Sequence, residues 1–113
     1  MYYLVRYKKP AKHLVGAKNK VMGRKGGFDT LLEAERALYA SAANLKRAPD
    51  EGFRLDDAAR NESLEYFNPT NGYFYVKTNH YNEFGKKIYQ TYSPQQYKRW
   101  IANKKRNPFT QII

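Results

Sequence analysis

The chain has 113 residues, of which 42% are hydrophobic and 16% aromatic, so it is long enough and apolar enough to fold around a modest core. It contains no cysteine, which excludes disulfide bonds and thiolate metal sites, and its apolar runs are too short to cross a bilayer. The formal net charge of +11 favours polyanionic partners over neutral ones. The start of the sequence lacks the basic-then-apolar order of a signal peptide, so we expect a cytoplasmic protein without a membrane partner.

The charges are distributed unevenly along the sequence. Residues 1–28 contain eight basic residues and no acidic one, residues 29–67 carry a net charge of −4, and residues 68–113 carry +7. A surface that serves solubility alone usually mixes the two signs. The segregation therefore favours a basic face, as nucleic-acid-binding proteins have, over scattered solvated lysines.

The N-terminal quarter is predicted to contain one strand and a basic loop. The strand covers residues 2–8, and Pro10 prevents its continuation because proline has no N–H for a sheet. Residues 13–15 are a candidate for a short second strand. Residues 16–27 hold four glycines and four basic residues, which predicts a flexible loop able to lie along phosphates. A mobile, merely solvated loop fits the same pattern, and the glycine spacing matches neither a P-loop nor a dinucleotide fingerprint.

The middle of the chain is predicted to contain one long helix and one short helix. Thr30 and Glu33 form a capping-box pattern, and apolar residues then recur at helical spacing, so the first helix should pack on the core. Asp56 and Asp57 are predicted to cap a short helix that ends at Arg60. Adjacent carboxylates on a helix point in different directions, so we do not predict a metal site there.

The clearest fold signal lies in the C-terminal half. Leu64–Phe67, Tyr73–Thr78 and Ile88–Tyr92 are predicted strands, rich in aromatic and β-branched residues. Asn68–Gly72 ends in Asn-Gly, a typical hairpin turn, and residues 79–87 are predicted to be a long hairpin loop. The three strands should therefore form an antiparallel meander.

A second long helix is predicted to follow this meander. Ser93 is a typical N-cap, Pro94 suits the first helical position, and Gln96 completes a capping box. An apolar stripe should pack on the sheet, and it consists of Tyr97, Trp100 and Ile101. Residues 1–113 are thus predicted to be a single α+β domain. Its antiparallel sheet, the meander plus an N-terminal strand, is packed by two main helices.

Nucleic-acid binding is predicted from the basic residues and two tyrosines. Tyr73, Tyr75 and Lys77 share one face of their strand. Aromatic side chains beside basic residues on an open sheet form a stacking platform for unpaired nucleobases. The same tyrosines fit cross-strand pairs that only stabilise the sheet. The predicted nucleic-acid-binding residues are Lys18, Lys20, Arg24, Lys25, Tyr73, Tyr75, Lys77, Lys86, Lys87, Lys98, Lys104, Lys105 and Arg106.

The sequence favours a binding protein over an enzyme. Its only histidines, His13 and His80, lie outside any triad or metal-ligand pattern, so we predict no catalytic residue, metal or cofactor. The main prediction is a non-enzymatic protein that contacts phosphates of DNA, RNA or a nucleoprotein. The first alternative is a small phage-type inhibitor or accessory protein, an anti-defence protein that binds a nucleic-acid-processing enzyme or a ribonucleoprotein. A protein partner with an acidic surface is expected in that case.

The second alternative is a small toxin-like ribonuclease. His80, Glu83 and the nearby Lys86 and Lys87 supply a base, a proton donor and phosphate-neutralising cations. The predicted element order is loosely similar to that of RelE-like toxin ribonucleases. This resemblance is one of order only, without a shared residue motif, so it implies no assignment of site residues.

Overall fold

A computed structural model describes residues 1–8, 20–43 and 51–106, with the backbone alone for Lys105 and Arg106. Six strands form one antiparallel sheet within these residues, and two helices pack against one of its faces. The predicted α+β class is therefore confirmed. In the described part of the chain, neither helix is long and apolar enough to span a membrane.

The sheet has the strand order β2-β1-β3-β4-β5-β6, and every neighbouring pair is antiparallel. The predicted meander is confirmed as the last three strands, and the predicted N-terminal strand lies inside the sheet. The elements are β1 (Tyr2–Lys8), β2 (Lys20–Phe28), α1 (Leu31–Ala43), β3 (Glu51–Asp57), β4 (Glu62–Asn68), β5 (Tyr73–Tyr81), β6 (Lys87–Tyr92) and α2 (Pro94–Arg106).

One hydrophobic core lies between the sheet and the two helices. Phe74 of β5 and Tyr97 of α2 are at its centre, with their rings parallel and their centroids 4.2 Å apart. Leu38 of α1 is fully buried beside them. The strands contribute every second residue to this core, because successive side chains of a strand point to opposite faces. The buried strand residues of the core are Leu4, Phe53, Leu55, Phe67 and Phe74.

Both helices begin at their predicted capping residues. The side-chain oxygen of Thr30 accepts a hydrogen bond from the backbone N–H of Glu33 at 3.2 Å. At α2 the box is reciprocal: the Gln96 N–H donates to the Ser93 hydroxyl at 3.2 Å, and the Ser93 N–H donates to the Gln96 side chain at 2.9 Å. These bonds satisfy N–H groups that a helix start leaves without partners, and they fix the point at which α2 leaves β6.

The loop prediction for residues 16–27 was wrong over its described part, because Lys20–Phe28 forms the edge strand β2. Pairing with β1 outweighs the low strand propensity of its glycines, and the pairing shifts register near each end. Gly26 has φ +144°, and a Cβ atom there would lie 2.7 Å from the carbonyl oxygen of Tyr2. Glycine is therefore required for this close approach. The candidate strand at residues 13–15 lies outside the described residues.

The prediction of a short helix from Asp56 to Arg60 was also wrong. Asp56 and Asp57 are the last residues of β3, and a turn leads from them to β4. The Asp57 carboxylate accepts a hydrogen bond from the Ala59 N–H at 3.1 Å, while Asp56 accepts one from the Arg54 guanidinium at 3.0 Å. The two carboxylates thus stabilise a turn and a strand end, which short polar side chains do as readily as they cap a helix.

Candidate functional site

The candidate site lies on the face of the sheet opposite the helices. We call it the tyrosine face and define it by Tyr7, Tyr66, Tyr75 and Tyr89. The residues on either side of each tyrosine in its strand point to the other face of the sheet. Tyr66 on β4 lies directly opposite Tyr75 on β5, and Lys77 on β5 lies opposite Tyr89 on β6. The alternation predicted for Tyr73–Thr78 is observed, since Phe74 is buried in the core and Tyr73 is 42% exposed.

Three of these tyrosines form one ring cluster. The Tyr66 and Tyr75 rings stack with centroids 4.6 Å apart and planes at 9°, and the Tyr89 ring meets Tyr66 edge-on at 5.3 Å. The ammonium group of Lys77 lies 6.0 Å from the Tyr89 ring centroid. The rings are cross-strand partners that stabilise the sheet. They are only half-buried, so each still presents aromatic surface to solvent.

Two hydroxyl groups of this cluster remain protonated at physiological pH. Burial, with smaller effects from the neighbouring phenols of Tyr75 and Tyr89, raises the pKa of Tyr66. Burial and then the charge of Glu62 raise the pKa of Tyr89. The Tyr75 hydroxyl accepts a hydrogen bond from the side-chain amide of Asn71 at 2.6 Å. The face therefore offers neutral rings and O–H donors together with a lysine, a combination suited to bases and phosphates.

At its β1 end, the tyrosine face is buried from solvent. Val5 and Tyr7 are 0% and 5% exposed. The Tyr7 ring lies over Gly52 of β3, where a Cβ atom would come within 2.6 Å of the ring. Glycine at that position is what allows the aromatic ring to lie flat on the sheet. The accessible part of the face is consequently its β4–β6 end.

Charges of both signs meet at the β3–β4 turn, beside this accessible end. A concavity of about 450 Å³ there is lined by Arg24 and Arg54 and also by Asp56 and Glu62. Arg54 donates through Nε to both carboxylate oxygens of Asp56, at 3.0 and 3.2 Å. This corner therefore holds acidic and basic side chains together.

The predicted basic residues are spread over several surfaces. Arg24 and Lys25 are neighbours on β2, and their register with Val5 and Leu4 places Arg24 on the tyrosine face and Lys25 on the helix side. Lys86 and Lys87 lie at the far end of the β5–β6 hairpin. Exposed positions elsewhere are taken by Lys20 at the start of β2 and Lys98 on α2. Outside the described side chains lie Lys18, Lys105 and Arg106.

Lys104 has a partner inside the protein. Its ammonium group donates to both carboxylate oxygens of Glu35 at 2.7 and 2.8 Å and lies 3.9 Å from the Trp100 ring centroid. Glu35 is 0% exposed, so this ion pair belongs to the interior. We therefore leave Lys104 out of the candidate site.

Glu35 and Lys104 are part of a buried polar cluster that also contains Glu65 and Tyr97. The Tyr97 hydroxyl donates to Glu65 at 2.7 Å. Burial raises the pKa of Glu65 well above its usual value, and the hydrogen bond and charge of Glu35 raise it further. The side chain of Glu65 thus forms hydrogen bonds with both Tyr97 and Glu35. All four members have partners, so we interpret the cluster as a structural link between α1, β4 and α2.

Sequence reasoning missed this cluster and the role of Tyr66. A local signal existed for both: Glu65 shares the strand face of Phe67, a core residue, and Tyr66 lies between them. Alternation alone would have placed the carboxyl group inside and the phenol outside. The partners of Glu65 could not be read locally, because Tyr97 lies 32 residues away in the sequence.

The residues considered for a ribonuclease lie near the end of the β5–β6 hairpin. His80 is on β5, and Glu83 is in the loop that follows; both are exposed. Among the described residues, no hydrogen bond or ion pair joins these two side chains. A ribonuclease activity stays the second alternative that the sequence left open.

No protein-family model, curated protein or solved structure matched the chain in comparisons with known proteins. The function is therefore argued from the site alone.

Proposed function

We propose that the protein binds single-stranded nucleic acid on the β4–β6 end of the tyrosine face. The observation that carries the proposal is the half-exposed ring cluster of Tyr66, Tyr75 and Tyr89 with Lys77 beside it. Aromatic rings beside cations on an antiparallel sheet stack on bases that are not paired, and a duplex does not offer such bases. The net charge of +11 supplies the long-range attraction to phosphates.

The proposed path of the strand follows from the charges. The Glu62 carboxylate disfavours phosphates at the β3–β4 corner of the tyrosine face, where Arg54 is already paired with Asp56. Tyr73, 42% exposed at the start of β5, and Lys77 mark a path along β5 towards Lys87 on β6. Stacking tolerates every base, so we expect little sequence preference.

The proposal is tested by fluorescence anisotropy with labelled single- and double-stranded DNA and RNA across a salt series. We expect single strands to bind more tightly than duplexes, with an affinity that falls steeply as salt rises. The preferred sugar then identifies DNA or RNA as the ligand. Absence of binding at low salt would contradict the proposal, and a pull-down would be the way to look for an acidic protein partner.

Two charge reversals test which face of the sheet the ligand occupies. Lys77→Glu should weaken single-strand binding and flatten its salt dependence, because Lys77 lies beside the Tyr89 ring and the salt slope decreases by about 0.7 for every phosphate that the protein no longer neutralises. Lys25→Glu is the matched control, since it changes the charge equally on the helix side of the sheet. Equal effects in both variants would show that net charge, and not the tyrosine face, governs binding.

Alanine substitutions test whether the tyrosines contact bases. Tyr73→Ala and Tyr75→Ala should each weaken single-strand binding by about 1–3 kcal/mol if each ring stacks on a base. Tyr→Phe at the same positions keeps the ring and should retain most of the affinity. Urea unfolding must be measured in parallel, because Tyr75 also stacks on Tyr66. A loss of stability with unchanged affinity per folded molecule would show that these rings only stabilise the sheet.

A further inference from the structure

The β5–β6 hairpin extends beyond the rest of the sheet. Pairing between β4 and β5 ends at Glu65 and Val76, whereas pairing between β5 and β6 continues to Tyr81 and Lys87. We call residues 78–88 the arm. Its loop is shorter than the predicted loop of residues 79–87, because both strands continue into that range.

The tip of the arm is held in one shape by hydrogen bonds to Asn82. The Asn82 side-chain oxygen accepts from the backbone N–H of Phe84 at 2.9 Å and of Lys86 at 3.0 Å. The Asn82 N–H donates to the Lys86 carbonyl at 2.8 Å, and Gly85 takes the positive φ of +78° that the turn requires. Nearer the base, the Thr78 hydroxyl donates to the Ile88 carbonyl at 2.6 Å.

This ordered tip displays apolar surface. Phe84 is 79% exposed, and Tyr81 and Ile88 on the same arm are 60% and 45% exposed. None of these side chains belongs to the core cluster, and Phe84, the most exposed of the three, lies at the tip, where exposed aromatic surface typically marks an interaction site. A tip that is already ordered loses little conformational entropy when it binds.

The charge around the tip indicates what it contacts. Lys86 and Lys87 flank Phe84 on one side, and Glu83 is the single acidic residue of the arm. Lys87 also lies two residues before Tyr89 on β6, so the proposed strand path runs from the ring cluster to the tip. The arm therefore combines an aromatic wedge with cations for flanking phosphates.

We propose that Phe84 stacks on the end of a duplex where it meets the single strand bound to the tyrosine face. This inference rests on the proposed function. A wedge that enters an intact duplex must first unstack two base pairs, which costs free energy. The last base pair at a junction has no second pair stacked on its outer face, so stacking there avoids that cost. The ligand class is thus a single-strand/double-strand junction.

The test compares two labelled probes by anisotropy: a hairpin duplex with a single-stranded overhang, and the overhang sequence alone. We expect the wild-type protein to bind the junction roughly tenfold more tightly, as the stacking of one aromatic side chain allows. Phe84→Ala should lose this preference yet bind the single strand as the wild type does, and Phe84→Trp should keep it. A 2-aminopurine at the terminal base pair should report contact in the wild type and not in Phe84→Ala.

Ile88→Ala is the matched control, because it removes another exposed apolar side chain from the arm away from its tip. It should leave the junction preference unchanged, and equal melting temperatures would show that all variants fold. Salt-dependent single-strand binding without a junction preference would contradict the stacking of Phe84 on a duplex end, but it would still support the proposed function. Absence of binding to both probes would overturn both the junction contact of Phe84 and the proposed function.

Discussion

Lys104→Met is expected to lower the free energy of unfolding by about 3–5 kcal/mol at neutral pH. The substitution removes the ammonium group that lies 2.7 Å from a carboxylate oxygen of Glu35 and leaves a fully buried carboxylate without a counter-charge. Methionine preserves most of the aliphatic stem, so the loss reports the charge and little of the packing. Urea denaturation followed by tryptophan fluorescence measures it, since Trp100 lies beside Lys104.

Lys98→Met provides the control for this experiment. Lys98 is on the same helix but exposed, so the same change there should shift stability by less than about 0.5 kcal/mol. The double variant Glu35→Gln with Lys104→Met should be more stable than Lys104→Met alone, because no buried charge is then left without a partner. A stable Lys104→Met protein with weakened nucleic-acid binding would contradict the interior role and restore Lys104 as a phosphate contact.

The C-terminal half was predictable because its signals are local. Asn-Gly fixes the turn before β5, the Ser93–Gln96 box fixes the start of α2, and aromatic alternation defines β5. Each of these features is determined within a few residues, and neighbouring segments then pair with each other. The meander and α2 were therefore predicted correctly, because local signals and the pairing of neighbouring segments indicate the same structure.

β2 and β3 were missed because their pairing is long-range. β2 is rich in glycine and lysine, and it becomes a strand because β1 presents an edge for it to join. The other edge of β1 pairs with β3, including Asp56 and Asp57, whose residue type favours caps and turns. Local propensity is a weak predictor wherever a distant strand supplies the hydrogen bonds.

The sequence predicted which residues of one strand share a face of the sheet, but not how residues from different strands pack together in the candidate site. Alternation placed Tyr73, Tyr75 and Lys77 on one side of β5, and the structure agrees. The partner Tyr66 comes from another strand, and the sequence also gave no sign that Lys104 would be held inside by Glu35. Composition shows how much positive charge a chain carries, but only the tertiary fold determines which cations reach solvent.

The stability of the protein should depend on pH through Glu65. Its pKa is raised in the folded state by burial and by Glu35, above the ordinary value of 4.5 that we take for the unfolded chain. Between those two pKa values the folded protein binds more protons than the unfolded chain does, so raising the pH favours unfolding. The contribution of Glu65 is complete below pH 4.5 and declines by about 1.4 kcal/mol per pH unit up to the folded pKa.

Glu65→Gln isolates this effect. Glutamine keeps the carbonyl oxygen that accepts from Tyr97 and an N–H donor for Glu35, and it carries no proton to lose. The variant should match the wild type near pH 4 and become progressively more stable than it as the pH rises towards the raised pKa of Glu65, with a limiting slope of about 1.4 kcal/mol per pH unit. Glu62→Gln, a charge removal on the same strand outside the cluster, is the control. Parallel stability curves for wild type and Glu65→Gln above pH 4 would show that the pKa of Glu65 is not raised in the folded protein.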